Sequence, residues 1–390
     1  MTLVNTLSPA EARTAFEVTR LGTYLDVAAR APMSDRVARE LERYIEDCRR
    51  EGAPKQAWLA RVEDVRHRMA AFLGASDAEI AFVQNTSDGL NKIANGLGLG
   101  PGDNVVICPE LEHGNNVYVW LNLRTHGVEV RTIPADHGEI SLERLDEAID
   151  DRTRVVSVSS VSFISGARAD LPAISGLAHR KGALLVVDAA QELGAMRLDP
   201  RSLGIDALAA PIQKSVLGTY GLGILYCRSE LLDQITPVFL SRIGVDLGPS
   251  GHYSDLGELG DYQVRKTAAK FEIGNYNFAG VFALDAALSL LEEVGMDVVE
   301  DHVLALSARI MDGLEMLGFE PLTPRVRARH AGIVAFQHPD PARLLERLEQ
   351  GQIRLSVRRG WIRPSVHIYN DHDDVTRLLD AVAETTRGPS

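Results

Sequence analysis

Short apolar runs and amphipathic stretches alternate along the chain from about residue 80 to residue 227. The apolar runs predict strands, and they cover residues 78–82, 104–108, 128–133, 154–161, 184–187, 207–210 and 221–227. The stretches between them predict helices, one near 114–125 and others capped by Thr86 or Ser87, Ser141 and Asp170. Strands that alternate with helices are typical of an α/β fold with a mainly parallel sheet.

The pattern changes after about residue 270. Two long helical stretches cover roughly 278–318, and the elements after them are predicted strands at 332–337, 353–357 and 363–369 and helices near 340–350 and 372–385. This order indicates a second, smaller α+β domain, and no Gly/Ser linker separates it from the first. We therefore expect three parts: an N-terminal arm at 1–20, a large domain at 21–275 and a small C-terminal domain at 276–390.

Composition narrows the classes of partner. The chain has 390 residues, 45% hydrophobic and 24% charged, with a formal net charge of −13. This balance repels nucleic-acid phosphates and anionic membranes, so neither is an expected partner. Cys48, Cys108 and Cys227 form no CxxC pair and suggest neither a disulfide framework nor a metal site. Because the N-terminus lacks a secretory pattern and no apolar run matches a membrane span, we expect a soluble, cytoplasmic protein.

The segment LLVVDAAQELG (184–194) places Asp188 directly after four apolar residues. Such a run indicates a buried parallel strand, and ligands bind at the carboxyl ends of the strands in open α/β sheets. A lone aspartate there most often caps a turn. The alternative is a carboxylate that keeps the ring nitrogen of pyridoxal phosphate protonated, which makes the ring an electron sink.

Lys214 favours the second interpretation. It follows the predicted strand 207–210 and precedes Gly218, Gly221 and Gly223, which permit tight turns. Most lysines are surface residues, but a partly buried one loses some of its preference for the charged form, as an imine-forming amine must. The helix start in NTSDGLNKIANGL (85–97) offers free N–H groups to a phosphate, although it is also compatible with a simple cap.

Together these segments resemble the fold-type I pyridoxal-phosphate enzymes, in the class V aminotransferase branch that includes the cysteine desulfurases. The resemblance extends from YLDVAARAP (24–32) to IRPSVHIYN (362–370), and its most specific feature is VVDAAQ with a lysine 26 positions after the acid (214 − 188). It implies a large α/β domain with a mainly parallel, seven-stranded-type sheet flanked by helices, and a small C-terminal α+β domain. It also implies pyridoxal 5'-phosphate as cofactor.

The resemblance assigns roles to individual residues. Asp188 would pair with the pyridine nitrogen, Gln191 would hydrogen-bond the ring hydroxyl, and Lys214 would form the internal aldimine. His113 in PELEHGNN matches the histidine that stacks on the ring. Further cofactor contacts are implied for the phosphate-binding turn, for the neighbour of the lysine and for FEIGNYN (271–277), namely Thr86, Ser87, Gln213 and Asn275.

Substrate binding and assembly follow from two further motifs. Arg363 matches the small-domain arginine of the family, whose planar fork holds a substrate α-carboxylate in two hydrogen bonds. An α-amino acid substrate is therefore expected. FEIGNYN resembles the segment that reaches the cofactor phosphate of the partner subunit, although the family usually has threonine where Asn275 stands. This similarity implies a homodimer with shared active sites.

Three departures from the family pattern narrow the reaction. Desulfurases carry a nucleophilic cysteine on a loop shortly before the arginine, whereas the nearest upstream cysteine here is Cys227. Gln213 stands where desulfurases have histidine, and glutamine there is commoner in small-amino-acid aminotransferases of this class. Pro211 and Phe163 replace residues that are often serine and asparagine, which removes one contact to the phosphate and one to the ring.

These features favour an enzyme that binds an α-amino acid as an external aldimine and removes its Cα proton, with Lys214 as base. We expect β-elimination of the carbon–sulfur lyase type, because SFISGARADL (162–171) resembles lyase, epimerase and kynureninase-like members. Transamination is the alternative, followed by epimerisation or a desulfurase-like reaction. A catalytically silent binding protein would have lost Lys214 or Asp188, and a nucleotide-binding protein would need a glycine-rich strand-to-helix turn.

Overall fold

The protein is described by a computed structural model that covers residues 6–248 and 262–386. The α-helices of these residues, numbered in chain order, are α1 (Pro9–Arg13), α2 (Val18–Leu21), α3 (Asp35–Arg50), α4 (Lys55–Leu73), α5 (Thr86–Gly96), α6 (Asn115–Asn122), α7 (Leu142–Ala148), α8 (Leu171–Arg180), α9 (Ser229–Leu232), α10 (Phe278–Val294), α11 (Met296–Met316), α12 (Pro341–Gln350) and α13 (His372–Thr386). Within these residues, no helix has the length and apolar character that a bilayer crossing requires.

The strands are also numbered in chain order. They are β1 (Thr23–Tyr24), β2 (Ile80–Val83), β3 (Asn104–Ile107), β4 (Glu129–Thr132), β5 (Thr153–Ser159), β6 (Leu184–Asp188), β7 (Ala207–Pro211), β8 (Gly223–Cys227), β9 (Val245–Asp246), β10 (Gln263–Val264), β11 (Ile353–Arg354), β12 (Ser356–Arg358) and β13 (Trp361–Arg363). Seven of them form one sheet in the order β2-β8-β7-β6-β5-β3-β4. Strand β8 is antiparallel to both of its neighbours, and the other pairs are parallel. The α/β fold with a mainly parallel sheet is therefore confirmed.

Helices cover both faces of the large sheet. Successive residues of a strand point to opposite faces, so Leu185 and Val187 of β6 join one apolar core while Val186 joins the other. The first core includes residues of α4, α8 and α10, and the second includes residues of α5 and α6. Burial on both faces explains why the parallel strands are almost continuously apolar in the sequence.

The arrangement of β5, β6 and β7 creates the edge at which polar side chains collect. These strands are parallel neighbours, and Ser159 is paired with Asp188, which is paired with Ala209. Their carboxyl ends therefore meet at one rim of the sheet, and the turns that follow them project over the same place. The apolar runs thus determine where the acid and the lysine can meet.

The C-terminal part packs with the first residues of the chain. Strand β1 is parallel to β11, with Thr23 opposite Ile353 and Tyr24 opposite Arg354. Strands β12 and β13 form an antiparallel hairpin. Helix α12 packs against β11, α13 packs against β1, and the two helices pack against each other. An N-terminal segment therefore completes the packing of the C-terminal part. The boundaries at 20/21 and 275/276 remain predictions.

Several expectations about local elements were wrong. The run 332–337 forms only isolated bridges, at Ile333 and Phe336, and the strand expected at 363–369 instead occupies Trp361–Arg363. Pro364 interrupts the ladder because it has no N–H to donate. Helices α3 and α4 were not predicted at all, although they pack against α10.

The cap of α5 also differs from the expectation. Asn85, rather than Thr86 or Ser87, is the N-cap, and its side chain accepts the N–H of Asp88 at 3.0 Å. The extended backbone of Asn85 lets its side-chain oxygen Oδ1 reach this donor. Thr86 is thereby the first residue of the helix proper.

Candidate active site

A cavity of about 340 Å³ lies at the carboxyl rim of the large sheet. It brings together seven of the residues selected from the sequence, namely Thr86, His113, Asp188, Gln191, Gln213, Lys214 and Arg363. Pro211 and Phe163, the two departures from the family pattern, also line it. Ser87 and Asn275 are not among its lining residues.

Asp188 ends β6 and is 4% exposed. Its Oδ1 accepts the N–H of Ala190 at 2.9 Å, and Oδ2 accepts no hydrogen bond from a described residue. Burial raises the pKa of Asp188, and the positive charge of Lys214 counteracts that rise. A cationic group in the cavity would hold this carboxylate ionised in the same way, since an opposite charge nearby favours the charged form.

Lys214 lies in the turn after β7. The carbonyl of Lys214 accepts the N–H of Leu217 at 2.8 Å, and Gly218 donates to the carbonyl of Ile212 at 2.8 Å. Leu217 takes a positive φ of 67°, which a bulky residue adopts only where its surroundings impose it. A Cβ added to Gly194 would lie 2.4 Å from the carbonyl oxygen of Ser215, so this glycine allows the turn to pack closely.

The surroundings of Lys214 lower the pKa of its amine. Burial lowers its pKa to about 8, and the negative charge of Asp188 limits this fall. The nearby guanidinium groups of Arg363 and Arg358 lower the pKa further. A substantial fraction of the amine is therefore neutral near physiological pH, the form that attacks a carbonyl carbon or accepts a proton.

His113 lines the cavity together with Phe163. The imidazole ring of His113 meets the Phe163 ring edge to face, with centroids 5.2 Å apart and an interplanar angle of 75°. Its Nδ1 accepts the N–H of Asn115 at 3.3 Å. Burial lowers the pKa of His113, and the charge of Lys214 adds to the effect. The neutral imidazole is thus favoured, as suits a ring that stacks on another aromatic ring.

A fully buried carboxylate, Glu112, supports this wall of the cavity. It accepts the backbone N–H of Ser159 at 2.6 Å, the Ser159 hydroxyl at 2.5 Å and the Asn116 amide at 2.8 Å. Burial raises the pKa of Glu112 to about 7, although these hydrogen bonds lower it. Because Ser159 lines the cavity, this network fixes the position of its side chain there.

The first turn of α5 borders the cavity opposite the strand ends. Asn85 and Thr86 line the cavity, and the N–H groups of the first helical residues have no partner within the helix. Gly223 keeps the space next to this turn open, because a Cβ there would lie 3.0 Å from Cα of Asn85. Free N–H groups and the positive end of the helix dipole suit a phosphate.

Arg363 ends β13 and is 1% exposed. It donates through Nη2 to the hydroxyl of Ser356 at 3.0 Å and through Nη1 to the carbonyl of Phe163, while Nε has no partner among the described residues. Burial lowers its pKa to about 10, and the charge of Arg358 contributes. A buried guanidinium with an unsatisfied donor is a site for a carboxylate.

Asn275 lies in a different place. It lines a second cavity of about 440 Å³ together with Lys92, Phe239 and Ile273, and its side-chain oxygen accepts from Lys55 at 3.0 Å. A contact between Asn275 and a cofactor phosphate would therefore need a second subunit. This contact remains a prediction.

The sequence analysis missed several residues that line or support the site. Ser159 and Tyr220 line the cavity, Glu112 supports it, and Arg358 faces it from the hairpin. One signal was available for Arg358. In SVRRGWIR (356–363), Gly360 permits the positive φ that a two-residue hairpin turn requires, and such a turn pairs the residues on its two sides.

The residues of the cavity fit pyridoxal 5'-phosphate. An amine with a lowered pKa, a buried carboxylate with an unused oxygen and a helix N-terminus are the groups that an aldehyde, a pyridine nitrogen and a phosphate require. Lys214, Asp188 and Thr86 would hold these three parts of the cofactor. The assignments of individual site residues remain predictions.

Comparisons with known proteins agree with this chemistry. The family model described as aminotransferase class-V matches residues 23–378. A probable cysteine desulfurase of Methanothermobacter thermautotrophicus is 31% identical, over 93% of this chain and 94% of that protein. An uncharacterized aminotransferase of Bacillus subtilis, YcbU, is 28% identical, over 97% of this chain and 98% of that protein.

A solved structure shares the fold. It is that of a C-DES variant with glycine covalently linked to its pyridoxal phosphate cofactor, with a TM-score of 0.87 and 21% identity. The match covers 95% of this chain and 99% of that chain. C-DES is described as a cystine C–S lyase, whose reaction product is cysteine persulfide. At this identity the likeness concerns the fold alone.

Proposed function

The chain belongs to the class V aminotransferase family, and from that premise we propose that it catalyses β-elimination on a sulfur-containing or similar α-amino acid. It is a pyridoxal 5'-phosphate enzyme. The proposal concerns the reaction type, in which the bond between Cβ and sulfur breaks and the sulfur group leaves with the electron pair.

The chemistry of the cysteines carries the proposal. No described residue that lines the cavity is a cysteine. Cys48 is exposed on α3, and Cys108 and Cys227 are buried among apolar side chains. Burial raises the pKa of each buried thiol to about 12, so neither is a ready nucleophile at neutral pH. A desulfurase needs a thiolate to accept the substrate sulfur, whereas a lyase does not.

Three residues of the chain can orient the substrate, accept the Cα proton and stabilise positive charge during an elimination. Arg363 holds the α-carboxylate, which orients the substrate beside Lys214. The neutral amine of Lys214 accepts the proton of Cα, and Asp188 stabilises positive charge at the end of β6. Bound pyridoxal phosphate supplies the electron sink for the pair left at Cα.

Transamination is the second candidate. The relative of Bacillus subtilis that covers nearly the whole chain is described as an aminotransferase. Gln213, which lines the cavity next to Lys214, is the residue commonly found there in small-amino-acid aminotransferases. This reaction would use the same Arg363 and Lys214 but would return the proton to the cofactor instead of expelling a β-substituent.

Product analysis distinguishes the two reactions. Purified holoenzyme is incubated with a panel of amino acids, and pyruvate, ammonia and sulfide are measured with and without a keto-acid acceptor. Elimination predicts pyruvate and ammonia without any acceptor. A strict need for the acceptor would reject elimination in favour of transamination.

A cysteine-free variant separates lyase from desulfurase. Cys48→Ser, Cys108→Ala and Cys227→Ala are combined, with Cys48→Ser alone as the control for folding. The lyase proposal predicts sulfide release within about threefold of wild type, because none of the described residues that line the cavity carries a thiol. Loss of sulfide release in a folded, yellow variant would contradict it.

We also propose a homodimer with shared sites. Two large apolar side chains that line the second cavity are exposed, Phe239 (66%) and Ile273 (48%). Exposed apolar groups gathered in one region are typical of a protein interface. Sedimentation of the holoenzyme measures the assembly. The cytoplasmic location and the absence of nucleic-acid and membrane partners stay predictions from the sequence.

A further inference from the structure

We propose that the substrate carries a second acidic group on its side chain and that Arg358 binds it. This rests on the proposed function in one respect, because it needs an α-amino acid held by Arg363. The substrate class is then a thioether amino acid that ends in a carboxylate, of which S-carboxymethylcysteine is a simple example.

The hairpin places both arginines on the same face. In the antiparallel pair β12–β13, Ser356 is opposite Arg363 and Arg358 is opposite Trp361. Directly opposed residues share a face, and so do residues two apart along a strand. Arg358 and Arg363 line the same cavity. The two arginines are diagonal neighbours across the hairpin, a spacing of about 7–8 Å, which a thioether with a terminal carboxylate can bridge.

Arg358 lacks the partner that a cavity arginine normally has. Among residues 6–248 and 262–386 it forms no ion pair, and its one hydrogen bond donates from Nη1 to the carbonyl of Val357 at 2.9 Å. Asp26 acts on it electrostatically, but the Asp26 carboxylate accepts from Ser356 and forms no ion pair with either arginine. The guanidinium is therefore available to a ligand.

The charges of the residues that line the cavity also favour a substrate with a second acidic group. Lys214, Arg358 and Arg363 face a single lining carboxylate, Asp188. The α-carboxylate of the substrate neutralises Arg363, and the first turn of α5 serves the cofactor phosphate. Asp26 does not line the cavity, and its charge attracts both arginines without forming an ion pair with either of them among the described residues. Arg358 therefore has no direct counter-ion, and its positive charge lowers the pKa of both Lys214 and Arg363 by repulsion. A second substrate anion removes that repulsion.

The adjacent Arg359 has a structural role. Arg359 donates to the carbonyl of Glu110 at 2.8 Å and to that of Glu112 at 3.3 Å, and it lies 5.5 Å above the ring of Phe163. These contacts hold the tip of the hairpin against the loop that follows β3. Arg358, held on this fastened hairpin, keeps a defined position at the cavity.

The test compares two substrates that differ only in charge. S-carboxymethylcysteine and its neutral amide, S-carbamoylmethylcysteine, are assayed for elimination with wild-type holoenzyme, Arg358→Gln and Arg377→Gln. The last variant is the control, since Arg377 is exposed on α13 and does not line the cavity. We expect wild type and the control to prefer the acidic substrate by about 10- to 100-fold in kcat/KM, and Arg358→Gln to lose the preference.

A binding measurement makes the outcome independent of the reaction type. α-Methylglutamate and 2-aminoisobutyrate lack a Cα proton, and their binding is followed through the absorbance of the cofactor. Tighter binding of α-methylglutamate that depends on Arg358 supports the inference even if no elimination occurs. If both ligands bind with equal affinity, or if Arg358→Gln still prefers α-methylglutamate, the inference about Arg358 is wrong. The proposal of elimination is not affected by that result. Failure of both ligands to bind overturns the inference together with the proposed function.

Discussion

Replacing Glu272 with glutamine tests how firmly the segment that carries Asn275 is held. Glu272 is 2% exposed and accepts from Arg66 through both carboxylate oxygens, at 2.6 and 3.1 Å. It also accepts the N–H of Phe82 at 2.8 Å and the hydroxyl of Tyr276 at 2.6 Å. Burial disfavours the charge of Arg66, but Glu272 and Glu63 hold its pKa above the ordinary value.

The structure sets the size of the effect. Removing one member of a buried ion pair costs about 3–5 kcal/mol, since the remaining charge is left uncompensated. Arg66 retains Glu63 at 3.0 Å and the carbonyl of Ile80 at 2.9 Å, so we expect the lower value, about 3 kcal/mol. With about 2.1 cal/mol/K of unfolding entropy per residue, that lowers Tm by about 4 °C for a chain of this length unfolding as one unit.

Urea unfolding followed by circular dichroism measures the change. Glu63→Gln is the matched control, because Glu63 bonds the same arginine but its side chain is 65% exposed, and it should cost less than about 1 kcal/mol. Arg66→Met combined with Glu272→Leu should recover only part of the loss. An apolar pair leaves no buried charge, but the Phe82 N–H and the Tyr276 hydroxyl lose their acceptor. If Glu272→Gln were no more destabilising than Glu63→Gln, the segment would not depend on this ion pair.

Three further predictions concern the cavity. Arg363→Lys should raise KM for an α-amino acid by at least about tenfold, because an ammonium cannot form two parallel hydrogen bonds to a carboxylate; a change below twofold contradicts the role. Gly194→Ala should weaken cofactor retention on gel filtration at least about tenfold, because its Cβ would meet the backbone that follows Lys214; unchanged absorbance contradicts this. Glu112→Gln should remove a pH dependence of stability. The folded pKa of Glu112, about 7, exceeds the ordinary value of 4.5, so wild type binds the extra proton only when folded and loses stability as pH rises through this window. The variant should gain about 3 kcal/mol on wild type between pH 4.5 and 7 in urea unfolding, while the exposed Glu110→Gln should not.

Much of the fold follows from local pattern. The apolar runs at 184–187 and 207–210 are long enough to be buried strands. Asp188 comes directly after the first and Lys214 four positions after the second, so both are expected at the carboxyl rim. The caps Ser141 and Asp170 lie where expected, because capping depends on residues within three positions in the chain. Helices α3 and α4 escaped prediction although the same kind of local signal was available.

By itself, then, the amino-acid sequence determined the sheet, the acid and the amine, because strand formation and strand ends are set by neighbouring residues. Tertiary packing decided which distant groups surround them. The buried Glu112 is fixed by Ser159, the N-terminal strand β1 pairs with β11, and Arg358 reaches the cavity only because the β12–β13 hairpin is fastened to the large sheet. Such contacts join residues up to about 330 positions apart and depend on packing between elements, which no local pattern encodes.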